Sequence, residues 1–279
     1  MRVLVTGGGG LLGGALLRSA PPEVELHATV RGAPAAGAAT HPVELTDAGS
    51  VRRAWDEARP DLVIHTAFDT RAGEREIADA HRNVARACRE TGAALVHLST
   101  DALLDGKHAP YDETAAPAPV HEYGRLKALA EAGVREECPD AAVVRTSLLV
   151  RADPPDRTTA WAVDALRRGE PVRLFTDELR CPVAVDDLAA QLWELAALPA
   201  AERSGVWNLA GPEAISRYAL GLLIAARYGL DPRGIVPLPS AASPAPRPRD
   251  LRMTTARADH ALRTRPRGVS VVLAPTDGA

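Results

Sequence analysis

Residues 2–14 read RVLVTGGGGLLGG, a β-type run, a cluster of glycines and the apolar start of a helix. Few short patterns constrain a chain more. To leave a strand and enter a helix through so tight a turn, the backbone needs conformations and close approaches that a Cβ obstructs. The helix that follows turns its unpaired N–H groups and its positive dipole end toward the turn. Gly7, Gly10 and Gly13 stand three apart on that path. A pyrophosphate fits there, and strand, glycines and helix together point to a dinucleotide held at the first turn of a parallel sheet.

The rest of the N-terminal half repeats the alternation. Apolar runs at 24–30, 41–45, 61–67, 94–100 and 141–147 are separated by helical stretches at 48–58, 74–91 and 121–137. Strands apolar throughout, with helices between them, belong to a parallel sheet covered on both faces. The expected fold class is α/β: a Rossmann-type doubly wound parallel sheet with a smaller C-terminal α/β substrate lobe. Residues 1–148 are assigned to the dinucleotide domain, with 183–204 returning to it, and 149–182 and 205–279 to the lobe. The Pro- and Ala-rich segment 237–250 reads as a loop. Ligand is expected at the carboxyl ends of the strands.

Composition excludes other classes. Hydrophobic residues make up 46 % and charged residues 25 % of the 279, with a net charge of −3, so the chain has an ordinary globular balance. No clustered basic excess marks it for nucleic acid or an acidic membrane surface. Cys88, Cys138 and Cys181 are far apart and suggest reduced thiols, with neither disulfides nor zinc. The eight histidines are scattered singly, so no metal site is expected. Glycines break the apolar run of residues 1–20, a poor signal-peptide helix, and no segment approaches the roughly 20 apolar residues of a membrane span. The expectation is a cytoplasmic protein acting on a small molecule.

Arg31 follows the second strand, 31 − 13 = 18 residues after Gly13, and no carboxylate follows it until Glu44. An acid there would suit the ribose of NAD. A guanidinium suits a 2′-phosphate, so NADP(H) is preferred over NAD(H). Further along, the chain has 33 Lys plus Arg, yet only Lys107 and Lys127 are lysines, and Lys127 lies four residues after Tyr123, one of four tyrosines. On a helix these two share a face. A nearby cation lowers a phenol's pKa from about 10 toward the range useful for proton transfer. Ser99 and Thr100 end a buried strand on the same side as the glycine turn, where a hydroxyl can hold a substrate carbonyl.

Thr6 to Gly13 (TGxxGxxG), Ser99-Thr100-Asp101 and Tyr123-x3-Lys127 resemble the extended short-chain dehydrogenase/reductase superfamily. The stretch LSTDALLDGKHAPYDETAAPAPVHEYGRLKALAE resembles, within it, the dTDP-4-dehydrorhamnose reductase group. VVRTSLLV (143–150), CPVAVDDLA (181–189), WNLAGPEAISRYALG (207–221) and RPRDLRM (247–253) extend the likeness over nearly the whole chain. The resemblance implies that Thr100 orients a ketone, Tyr123 donates a proton, and Lys127 binds ribose and depresses the tyrosine pKa while NADPH supplies hydride. It also implies that Thr6, Gly7, Gly10, Leu11, Leu12 and Gly13 hold the pyrophosphate. His65, Thr66 and Ala67 would pass under the cofactor, with Ser99 beside it. Asp101, Arg180 and Cys181 would approach the sugar, and Arg247 and Arg249 its diphosphate. It points to a homodimer.

Two departures stand out. Relatives carry an Asn early in the helix after the fourth strand, and that position is Ile77; Asn83 lies on another face. Sugar-nucleotide dehydratases follow the strand-end Thr with an Asp-Glu pair, whereas Thr100 precedes Asp101 and Ala102, which argues against elimination. The leading expectation is an NADPH-dependent reductase of a nucleotide-linked 4-keto-6-deoxysugar. The alternatives are a reductase or epimerase of another natural-product intermediate, and a non-catalytic NADP-binding regulatory subunit like that of methionine adenosyltransferase.

Overall fold

The computed structural model describes residues 1–69 and 72–275; residues 276–279, assigned above to the lobe, lie outside them. The first half runs β1 (Arg2–Thr6), α1 (Leu11–Arg18), β2 (Glu25–Val30), β3 (Ala39–Pro42), α2 (Ala48–Ala58), β4 (Leu62–His65), α3 (Glu74–Thr91), β5 (Ala94–Thr100), α4 (Glu122–Glu137) and β6 (Ala142–Thr146). The second half begins with β7 (Leu149–Val150), α5 (Arg157–Arg167), β8 (Val172–Phe175), β9 (Leu179–Arg180), β10 (Val183–Ala184) and α6 (Val185–Ala197). It continues through α7 (Ala200–Arg203), β11 (Gly205–Leu209), β12 (Ile215–Ser216), α8 (Arg217–Arg227), β13 (Ile235–Leu238), α9 (Ala256–Ala261) and α10 (Val269–Val272).

Seven strands form one sheet in the order β11-β6-β5-β4-β1-β2-β3, every neighbouring pair parallel. This is the doubly wound α/β sheet expected. Winding reverses between β1 and β4, which opens a crevice at the carboxyl ends of those strands. Strand alternation sends successive side chains to opposite faces. Val3, Val5, Ile64, Val96 and Leu98 pack with Leu16 of α1 and Leu188 and Leu192 of α6. Leu4, Val63 and Leu95 pack on the other face with Val51 and Trp55 of α2 and Val84 and Cys88 of α3. Helix α2 is capped by Asp47, whose carboxylate accepts from the Gly49 amide at 2.9 Å.

A second core lies apart, where Val163 of α5, Val172 of β8, Leu220 and Ile224 of α8 and Ile235 of β13 come together. β8 and β13 pair in parallel as a two-stranded sheet. One boundary differs from the sequence reading. Residues 205–209, placed there with the lobe, form β11 and pair with β6 at the edge of the large sheet. Trp207 and Leu209 are apolar and bury in the same core as β1 and α6, which the lobe does not offer them. The third strand also stops at Pro42, short of the expected 41–45. Beyond it the Glu44 carboxylate turns back to accept from Thr46.

Candidate active site

The cleft at the strand ends has a volume of about 1080 Å³ and is lined by Gly7, Gly10, Leu11, Leu12 and Gly13 on one wall and by Ser99, Thr100, Tyr123 and Lys127 on the other. The glycines are required by geometry. Gly7 sits at φ +74°, and a Cβ on Gly13 would stand 2.2 Å from the Gly7 carbonyl oxygen. Helix α1 therefore starts hard against the turn. Gly10 caps it without a side chain, so no protein side chain competes at the cap for the open amides. A pyrophosphate fits this cradle.

Thr66 and Ala67 line the cleft, and their positions are set by β1: Thr66 Oγ1 donates to the Thr6 carbonyl at 2.7 Å, and the Ala67 amide donates to Thr6 Oγ1 at 3.3 Å. Thr6 and His65 themselves do not face the cleft. Both are buried, and Thr6 Oγ1 bonds His65 Nδ1 at 2.6 Å beneath it. Strand parity is the reason, since both share a face with Leu4 and Val63. Arg31 lines the cleft at the end of β2, where its guanidinium donates to Asp69 at 2.6 Å. Asp69 holds the Arg31 pKa above its ordinary value through that bond and its charge.

The opposite wall is built on α4. His121 caps it, Nδ1 accepting from the Gly124 amide at 2.9 Å. Gly124 has to be glycine, because a Cβ there would lie 2.1 Å from the Ala102 carbonyl oxygen. That contact presses the start of α4 onto the turn after β5 and brings Tyr123 to Thr100. Burial pushes the Tyr123 phenol above its usual pKa; a hydrogen bond with Thr100 and the Arg180 guanidinium pull it down, while the Asp101 carboxylate adds to the rise. Tyr123 is 40 % exposed at the cleft wall, its ring perpendicular to that of Phe68 with centres 5.6 Å apart.

Lys127 is buried in the cleft wall. Its ammonium donates to the Leu98 carbonyl at 2.6 Å and sits 4.4 Å from the centre of the Phe68 ring. Burial lowers its pKa to about 7, against the pull of Glu131. The Arg180 guanidinium is a cation that lowers the tyrosine pKa here. Ser99 Oγ donates to Glu131 at 2.9 Å, and Glu131 accepts from Arg145 Nε and Nη2 at 3.2 and 2.6 Å, both side chains buried. This pair ties α4 to β6.

The residues expected at the sugar are engaged with each other. Arg180 grips Asp101 through two hydrogen bonds, and Ser147 Oγ donates to the same carboxylate at 2.7 Å. Buried Glu178 holds Arg247 at 2.7 Å and lies 3.6 Å from Arg180 and 3.8 Å from Arg217. Cys181 is buried, its amide donating to Ser147, and Arg249 is exposed beside Asp177 at 3.3 Å. Ile77 lines the cleft and packs with Leu126 and Phe68. Asn83 points elsewhere, donating to the Leu45 and Thr46 carbonyls.

Sequence reasoning missed Phe68, Glu131, Arg145 and Glu178. Only Glu131 left a signal, four residues after Lys127 on one helix face. It also read the histidines as scattered, whereas the fold gathers His65, His81 and His97.

A glycine cradle at the first strand, facing a Thr–Tyr pair across the switch point of a doubly wound sheet, defines an NAD(P)-dependent oxidoreductase of the extended short-chain dehydrogenase/reductase type. The comparisons agree. The chain belongs to the RmlD substrate binding domain family, whose model matches residues 1–273. It is 32 % identical to a dTDP-4-keto-6-deoxy-D-glucose reductase of Streptomyces niveus, over 86 % of this chain and 83 % of that one. It is 28 % identical to methionine adenosyltransferase 2 subunit beta of Pongo abelii, over 90 % and 80 %. A solved dTDP-4-dehydrorhamnose reductase from Bacillus anthracis in complex with NADP shares the fold, with a TM-score of 0.81 at 24 % identity, over 98 % of this chain and 96 % of that one. Among the described residues no helix is long and apolar enough to cross a membrane.

Proposed function

We propose that this chain reduces the ketone of a nucleotide-linked 4-keto-6-deoxysugar with NADPH, Tyr123 supplying the proton. The observation that carries it is that Thr100 and Tyr123 line one cleft with the Gly7–Gly13 cradle. The dinucleotide, when bound, supplies the hydride. The amides at the start of α1 hold its pyrophosphate. Arg31 turns from Asp69 to a 2′-phosphate, which favours NADPH. Thr100 donates to the carbonyl oxygen and sets it against Tyr123. As charge develops on that oxygen, the phenol transfers its proton, and Arg180 steadies the phenolate that forms. Lys127, on the Leu98 carbonyl, is within the cleft wall to meet the ribose hydroxyls. The relatives named as sugar-nucleotide reductases, and Asp101-Ala102 in place of an acid pair, support reduction over elimination.

The test is steady-state loss of NADPH absorbance with a panel of nucleotide-linked 4-keto sugars. Tyr123→Phe removes the general acid and is expected to cost about 10²–10⁴-fold in kcat, with cofactor affinity retained. Turnover that survives this change would sink the mechanism. Tight NADP binding with no turnover of any carbonyl would instead favour a regulatory subunit, the kind of relative that methionine adenosyltransferase 2 subunit beta represents.

A further inference from the structure

Beneath the cleft, the parallel register sets His65 of β4 beside His97 of β5, with Thr6 of β1 on the other side of His65. Helix α3 lays His81 over them. All three histidines are buried, and one nitrogen from each lies within 4.8 Å of the other two. Their ring centres form a triangle of 4.6, 5.3 and 5.1 Å. Three imidazoles bound to one tetrahedral ion through nitrogens at about 2.0–2.1 Å have ring centres roughly 5 Å apart. The triangle already has that size.

Two further observations point to a ligand. His97 is fully buried, yet neither of its nitrogens has a hydrogen-bond partner. Burying a polar ring so is costly and calls for a partner. In addition, His65 meets Thr6 Oγ1 through Nδ1 at 2.6 Å, which is the outer hydrogen bond that orients a ligating imidazole through its other nitrogen. That other nitrogen, Nε2, lies 2.6 Å from His81 Nδ1. Two nitrogens on one tetrahedral ion stand about 3.3 Å apart. Separating the rings by less than an ångström, with the shared proton moved to the far nitrogen of its own ring, opens both lone pairs.

We propose that His65, His81 and His97 bind a late first-row divalent cation, zinc foremost. Three neutral imidazoles without a carboxylate suit zinc, cobalt or nickel and not magnesium or calcium. Lys127 lies near enough to act on all three rings and opposes a second cation. Affinity is accordingly below that of a closed structural site with thiolate ligands. The ion would bridge β4 and β5 to α3, whose Glu76, Ile77, Ala80 and His81 line the cleft. Binding at this place does not depend on the reaction proposed above.

The test uses the full chain, stripped with a chelator and titrated with Zn²⁺ by calorimetry and with Co²⁺ by visible absorption. One equivalent is expected, with the intense visible bands of four-coordinate Co²⁺ and a raised Tm. His97→Leu and His81→Phe should lose that equivalent, while His27→Gln, on β2 and outside the cluster, keeps it. Zinc-edge X-ray absorption on the wild type provides a readout independent of whether the variants fold, and three imidazole ligands are expected. Binding unchanged in His97→Leu, oxygen ligands alone at the zinc edge, or no calorimetric binding by the wild type would each overturn the proposal.

Discussion

Glu131→Gln tests how the Tyr–Lys helix is held. The carboxylate accepts from Ser99 and twice from Arg145, and both charged side chains are 2 % exposed. The amide keeps the shape but removes the charge, leaving a buried guanidinium with one amide oxygen in place of the carboxylate and its bond from Nη1 to the Ala115 carbonyl at 2.6 Å. Breaking a buried pair in this way costs about 3–5 kcal/mol. The surviving carbonyl bond puts this case at the lower end, about 3 kcal/mol. At about 2–4 °C per kcal/mol for a chain of this size, Tm should fall by roughly 6–12 °C. Urea denaturation read by tryptophan fluorescence measures the loss. The double variant Glu131→Leu with Arg145→Met removes both charges and should recover at least half of it, because apolar residues of similar volume replace a buried pair at little cost. A single-variant loss under about 1 kcal/mol, or a double variant showing the full sum of both singles, would refute the reasoning.

Gly13→Ala places a methyl 2.2 Å from the Gly7 carbonyl oxygen, so NADP(H) affinity should fall by orders of magnitude; fluorescence titration of NADPH reads it. For Arg31→Ala, losing a charge-assisted hydrogen bond of about 1.5–3 kcal/mol should narrow the NADPH-to-NADH ratio of kcat/KM by roughly 10–100-fold. An unchanged ratio would mean that Arg31 serves only Asp69. Lys127 has a folded pKa of about 7 against an ordinary 10.5, so between those values the unfolded chain keeps a proton that the folded chain has released. Stability from this group therefore rises with pH across that window, by up to about 1.4 kcal/mol per unit, and is flat below it. Denaturation from pH 6 to 10 should show that rise in the wild type relative to Lys127→Met, and parallel curves would contradict it.

Sequence alone determined the class of fold. Apolar strands alternating with helices need two covered faces, and a strand entering a helix through glycines leaves one arrangement open, the nucleotide turn at β1. The spacing of Tyr123 and Lys127 was legible for the same reason, because helix periodicity is local. Tertiary structure decided what those groups touch. Lys127 was expected to bind ribose and depress the tyrosine pKa; the fold sets its ammonium on the Leu98 carbonyl, and it brings Arg180, 57 residues from Tyr123, near enough to lower that pKa. Asp101 and Arg180, expected at a sugar, are held by each other in the fold, since a buried charge must find its counter-charge wherever the fold offers it. The strand at 205–209 joined the large sheet because Trp207 and Leu209 find their core there. Nothing local marks the histidines: His65 and His97 meet only through the register of β4 and β5, and His81 through the packing of α3 over both. Periodicity and turn chemistry are written in neighbouring residues, whereas charge pairing and ligand convergence depend on distances that exist only once the chain has folded.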